Sequence, residues 1–210
     1  VNVNAMYDNY GIAAYNYGCN WQHWNTTWLF FHDSLRTQSP KVALIETFHV
    51  NSNLFDTDMD GEIYYTTAIP ESSYKQQYLD MCFEGDISRY LSYYIPLVAY
   101  HENKTELTAD NFTDTSNTVD FLDTKGFYPR DGEFVADVKD WTQMEKWVIG
   151  ERSLAMLDDI VNTCHEQGIE VVFFTAPWST EEFQYFDAMQ QYADEHGCAY
   201  INMFEHMADA

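Results

Sequence analysis

Hydrophobic positions along this chain follow two periods, and residues 12–50 show both. Residues 12–17 (IAAYNY) are a β-prone run that stops at Gly18. A polar cluster follows, and then Trp24, Trp28, Phe31 and Leu35 recur at a spacing near 3.6, which predicts one face of a helix. Ser39-Pro40 ends that helix, because proline cannot continue it and restricts the residue before it. Residues 42–45 (VALI) are continuously apolar, as in a strand covered on both faces. The stretch reads as one strand–helix–strand unit, with its strand ends at Gly18 to Asn20 and at Thr47 to Asn51. In parallel sheets, ligands gather at such carboxyl ends.

Residues 1–10 read as a loop or short helix. Residues 51–150 are polar, aromatic and irregular, and are expected to form a lid insertion over the strand ends. Within them, Pro70, Glu71 and Ser72 start a helix that places Tyr74, Tyr78, Met81 and Cys82 on one face. Gly85 breaks it, a second helical run follows, and Pro96 kinks it or restarts it. Residues 101–123 and 125–138 carry turn chemistry.

Alternation resumes at Glu151. Leu154, Leu157, Ile160, Val161 and Cys164 form a helical face that ends at Gly168. Residues 169–175 (IEVVFFT) are a buried strand. Ser179 or Thr180, with Glu182 in the first turn, is expected to begin a helix carrying Phe183, Phe186, Met189, Gln190 and Ala193 to Gly197. Residues 198–203 (CAYINM) are a last strand. The expected fold class is α/β: a three-layer, mostly parallel sheet with a helical-loop lid insertion.

Composition narrows the partners. The 210 residues are 46% hydrophobic and 17% aromatic, enough for a core. The net charge is −24, from 34 acidic and 10 basic residues, which argues against nucleic acid and against an anionic membrane surface. Such acidity serves solubility, or suits a cation. Cys19, Cys82, Cys164 and Cys198 form no C-x-x-C pair and no zinc spacing, and no run is long and apolar enough to span a bilayer. The start at Val1 and the acidic, helix-like end read as cuts at both ends of a single α/β domain.

The succession YNYGCNWQ, helix, SPKVALIETFHVN, inserted lid, helix, IEVVFFTAPW, helix, CAYINMFEHMADA resembles the SGNH/GDSL hydrolase superfamily. Within it, YYIPLVAYHENKTELTADNF and KGFYP look like the insertion of an extracytoplasmic bacterial SGNH-like subgroup. The resemblance implies a serine esterase, deacylase or O-acyl transferase acting on an acylated glycan or cell-envelope polymer. The protein would be secreted or membrane-anchored, work through an acyl-enzyme, and require no cofactor. The chain has no G-D-S or G-S-S-H motif and no D-x-x-H block, so its 210 residues are expected to be inactive alone. Glu205-His206 is too close to the last strand to stand in for that block. The implied first strand would lie between residues 12–17 and 42–47, so without it apolar edges should be exposed.

By the same resemblance, Gly18 offers a backbone N–H to an oxyanion hole, where a side chain would obstruct the approach. A plain turn glycine is the alternative. Asn51 is the loosely matched second donor, with Thr47 and His49 also at that strand end. Asn20, His49 and Trp178 are candidate substrate contacts. Trp24 and Trp28, at helical spacing, read as core. Asp56, Asp58, Asp60 and Glu62 follow the D-x-D-x-D-G pattern of calcium loops, in which carboxylates converge on a hard cation. Position twelve is Thr67 rather than a bidentate Glu, so a Ca2+ site stands against a solvated acidic turn. Asn25, Asn103 and Asn111 head glycosylation sequons. The rival function is a non-catalytic cell-surface module that binds carbohydrate or another ligand through the aromatic lid and the acidic loop. A flavodoxin-like or response-regulator domain fits less well, because no phosphate loop or acidic cluster marks the strand ends.

Overall fold

A computed structural model describes residues 2–19, 22–50, 66–95, 125–126, 140–177 and 183–207. In chain order its elements are α1 (Val3–Tyr10), α2 (Trp24–Ser34), β1 (Val42–Glu46), α3 (Ser73–Phe83) and α4 (Ile87–Tyr94). A 3-10 turn (Trp141–Gln143) follows, and then β2 (Glu145–Lys146), α5 (Glu151–Gln167), β3 (Glu170–Thr175), β4 (Phe183–Gln184), α6 (Phe186–His196), β5 (Ala199–Asn202) and α7 (Phe204–Met207). The chain is α/β with parallel strands. It divides into two compact units: Val1–Gln22 with Thr57–Gly132, and His23–Asp56 with Glu133–Ala210.

The first unit is helical among its described residues. Ser72 Oγ accepts the Lys75 N–H at 3.1 Å and starts α3, as the sequence predicts. Asp86 caps α4 after Glu84 and Gly85 turn the chain through left-handed conformations. The buried stripe of α3 is Lys75, Tyr78, Leu79, Cys82 and Phe83, so Tyr74 and Met81 lie at its margin. Lys75 can be buried because its ammonium donates to the Ile69 carbonyl (2.7 Å), pairs with Glu71 (2.8 Å) and lies over the Tyr93 ring.

Residues 12–17 do not form the expected strand. Residues 11–19 have neither helical nor strand structure, and Ile12, Tyr15 and Tyr17 are exposed. The Asn16 N–H instead donates to the Lys125 carbonyl (2.9 Å), and its side chain donates to the Gly126 carbonyl (3.2 Å). Long-range pairing with a turn overrides local β propensity here.

The second unit holds the sheet. Its order is β1-β3-β5, all parallel, with Leu44 opposite Val172 and Phe173 opposite Tyr200. The chain steps one place in the same direction from β1 to β3 and from β3 to β5, with α5 and α6 the helices that lead into β3 and β5. Ile45, Val171 and Phe173 are buried, and Phe173 meets the Tyr192 ring of α6. The alternate positions Val42, Leu44 and Ile201 are exposed. Covering of β1 on both faces is therefore not what the described residues show. Its unbroken apolar run does not report the second face.

Helix α2 packs on α5. Trp24 Nε1 donates to the Ser153 carbonyl, and Trp28 Nε1 and His32 Nε2 both reach Asp159 Oδ2, at 2.6 and 2.7 Å. Leu29 and Phe30 are buried and Phe31 and Leu35 only partly, so the buried surface is broader than the periodicity predicts and takes in Asn25, Thr26 and His32. Helix α5 buries Leu157, Ile160, Val161 and Cys164 as expected and leaves Leu154 exposed.

Helix α6 begins at Phe186, later than expected. Phe183-Gln184 is a strand paired in parallel with Glu145-Lys146, a ribbon that the sequence pattern does not reveal. Gln184 Oε1 then accepts the Phe186 N–H at 2.6 Å and starts the helix. The expected caps at Ser179 and Thr180 lie outside the described residues.

Candidate functional site

The carboxyl ends of the three parallel strands bring polar side chains together. The Thr47 N–H and Oγ1 both bond to the Phe174 carbonyl, at 2.9 and 3.1 Å, extending the β1–β3 pairing by one residue. Thr47 Oγ1 lies 3.0 Å from Thr175 Oγ1, which lies 2.7 Å from the Tyr200 hydroxyl. With Thr47 donating to the carbonyl, the row is consistent when Tyr200 donates to Thr175 and Thr175 to Thr47. Burial pushes the Tyr200 phenol up to about 12, with the Glu46 and Glu205 charges adding to the effect. It is therefore a neutral donor at neutral pH. On β5, Asn202 takes the Phe204 N–H (3.1 Å) and donates to Glu205 (3.3 Å), which fixes the start of α7.

Glu46, the last residue of β1, sits beside this row. Its Oε1 accepts the Phe48 N–H at 2.8 Å and the Ala176 N–H at 3.2 Å, tying the end of β1 to the end of β3. Burial raises its carboxyl to about 7, against the pull of the Phe48, Ala176 and Thr47 N–H groups toward the anion. A side chain that changes charge near neutral pH at a strand end suits proton transfer.

Aromatic residues border these groups. Thr47, Phe48, Thr175, Phe183, Gln184, Tyr185 and Phe186 line a shallow crevice with no room for a water in this conformation. Phe48, Met144, Phe186 and Phe204 form a buried cluster behind it, with Trp141 packed against them. At its outer end, Trp147 stacks on Phe183 at 4.3 Å and 10°.

Of the residues named from sequence, Thr47 belongs to this site. His49 follows it in the turn after β1, with its ring edge-on to Phe48 at 4.9 Å. Gly18 lies in the first unit and does not follow a strand. The Cys19 N–H next to it donates to Gln22 Oε1 at 2.9 Å, and a Cβ on Gly18 would meet that same oxygen at 3.4 Å. The strand that its oxyanion role assumed is absent. Asn20, Asn51, Trp178 and the acidic run Asp56, Asp58, Asp60 and Glu62 lie outside the described residues. Glu46, Thr175, Tyr200 and Asn202 were missed. Glu46, Thr175 and Asn202 end strands visible in the sequence, so the strand-end rule applied to all three strands would have found them, whereas Tyr200, second of the four residues of β5, joins them only through its hydroxyl's bond to Thr175.

Among the described residues, no helix is long and apolar enough to cross a membrane, and no group of three His, Cys, Asp or Glu side chains could hold a metal ion. Comparison with protein-family models, with curated proteins and with solved structures gives no match.

Proposed function

We propose that the protein is an SGNH-type esterase, deacylase or O-acyl transferase acting on an acylated glycan or cell-envelope polymer outside the cytoplasm, with its chemistry at the carboxyl end of the sheet. The finer architecture, a three-layer SGNH sheet with residues 51–150 as its lid, belongs to the same proposal. The observation that carries it is Glu46 at the edge of the Thr47–Thr175–Tyr200 row. Acyl transfer needs a group that takes a proton from the attacking hydroxyl and returns it to the leaving oxygen. Glu46 has one oxygen pinned by two N–H groups, which leaves Oε2 for that exchange. The neutral Tyr200 phenol and the threonine hydroxyls suit a polyhydroxylated substrate.

The test is fluorophosphonate labelling, with acetate release from O-acetylated xylan, on the protein purified from cells expressing its complete gene. Labelling that one Ser→Ala change abolishes, and acetate release that Glu46→Gln lowers roughly a hundredfold, are expected. Absence of both labelling and release sinks the enzyme reading and leaves the glycan-binding module. That rival is favoured by the aromatic border of Phe183, Tyr185 and Trp147 beside the polar row.

A further inference from the structure

We propose that helix α4 is a docking surface for a helix of a partner protein, one that carries lysine or arginine along one border of an apolar face. Ile87, Leu91 and Tyr94 of α4, with Ile95 just past its end, recur at i, i+4, i+7 and i+8 and form one stripe. All four are exposed, Ile87 by 73% and Leu91 by 48%. The stripe is not what holds α4 in place. The other side of the helix does that: Tyr90 and Tyr93 meet the Phe83 ring edge-on at 5.0 and 5.9 Å. The Tyr93 hydroxyl donates to Thr66 Oγ1 at 3.3 Å, and Arg89 donates to the Cys82 carbonyl at 3.0 Å. A single exposed leucine on a surface needs no explanation, but four adjoining large apolar side chains on a helix already anchored by its other side mark an interaction surface.

The charges beside the stripe select the occupant. The Tyr94 hydroxyl donates to Glu71 Oε2 at 3.2 Å and the Tyr90 hydroxyl donates to Asp80, so two exposed carboxylates lie along the α3 side of the stripe. Glu84 and Asp86 stand exposed in the turn before Ile87. Lys75 offsets part of the Glu71 charge through the other oxygen, at 2.8 Å, so Asp80, Glu84 and Asp86 carry most of the local field. The basic residues of α3 and α4, Lys75 and Arg89, turn inward, onto the Ile69 carbonyl and the Phe83 ring. The far border of the stripe, Ser88 and Ser92, is uncharged. A helix laying apolar side chains on the stripe therefore meets carboxylates along one border, and cations placed there complement them. A second copy fits poorly. A two-fold contact through the stripe sets each copy's acids against the other's, in a chain of net charge −24, and an anionic membrane is repelled in the same way. The surface lies in the first unit and does not depend on the chemistry at the strand ends.

The test is fluorescence anisotropy with a labelled leucine–lysine peptide of about 18 residues, its leucines at i, i+3, i+4 and i+7, beside an isomer of the same composition with the leucines scattered. Wild type should bind the amphipathic peptide at least about tenfold more tightly than the isomer. Ile87→Ser with Leu91→Ser should weaken that binding about tenfold while the melting temperature stays within about 4 °C of wild type. Asp80→Asn with Glu84→Gln should weaken it about threefold and flatten its dependence on salt. Equal binding of the two peptides reduces the surface to general charge attraction and overturns the proposal, as does a serine variant that binds like wild type. A serine variant that melts more than about 4 °C lower shows that the chain itself covers the stripe, and also overturns it. A wild-type dimer in sedimentation that the serine variant abolishes replaces the partner helix with a second copy. Flotation with phosphatidylcholine vesicles that the serine variant loses replaces it with a lipid surface.

Discussion

Glu46→Gln should make the protein less active and, above neutral pH, more stable. The sign follows from the direction of the shift. Burial raises the Glu46 carboxyl from 4.5 to about 7, so the folded state holds this proton more tightly than the unfolded chain. Such a group stabilises the fold in full below pH 4.5, and that contribution is lost as pH rises through 7. At about 1.4 kcal/mol per pH unit, the whole effect is about 3 kcal/mol, most of which falls between pH 5 and pH 8. Glutamine keeps an oxygen for the Phe48 and Ala176 N–H groups and has no proton to lose, so it avoids burying an anion. Urea unfolding at pH 5, 6, 7 and 8, followed by tryptophan fluorescence, gives both curves. The subtraction removes every other titrating group common to the two proteins. Wild type and variant should nearly coincide at pH 5 and separate by about 2 to 3 kcal/mol at pH 8, with Gln the more stable. Curves that stay parallel within about 0.5 kcal/mol would refute the buried, proton-holding carboxyl, and the proton-transfer role with it. A gain in stability with a loss in activity is expected where a charged group is kept in place for its chemistry.

Three further outcomes test the packing that holds the site. Asp159→Ala removes the acceptor shared by Trp28 Nε1 and His32 Nε2 and should cost about 1 to 3 kcal/mol in urea unfolding. Asp159→Asn should cost less, because its amide oxygen still accepts. Burial lowers the His32 pKa, so the unfolded chain protonates first and wild-type stability should decline as pH falls below 6.5. Gly126→Ala should destabilise the first unit by more than about 1 kcal/mol in thermal unfolding. Its φ is 77°, and an added Cβ would lie 2.0 Å from the Asn16 carbonyl oxygen. Lys75→Met should cost about 1 to 3 kcal/mol by stranding the Ile69 carbonyl. The Lys75 hydrogen bond lowers the Glu71 carboxyl, so wild type has a contribution present above pH 4.5 and lost below it. The Met variant should lack that acid-side loss, which a pH series of melts would show.

The sequence by itself determined what local pattern can determine. Helix α5 and strands β1, β3 and β5 are legible because their apolar periods are long and their stops are chemical: Pro40 before β1, Gly168 and Gly197 after α5 and α6, Ser72 before α3. A parallel sheet follows from their alternation. Tertiary structure decided the rest. Residues 12–17 have strand propensity, but Asn16 finds its partner more than a hundred residues away in the turn at Lys125 and Gly126, and no local signal encodes that pairing. Phe183 and Gln184 fit a helix period as well as a strand period, and only the arrival of Glu145 and Lys146 alongside selects the strand. The candidate site divides in the same way. Thr47 was visible as a strand-end residue. The pKa of Glu46 was not, because it depends on burial and on two N–H groups from separate strands, and these come together only when the sheet forms.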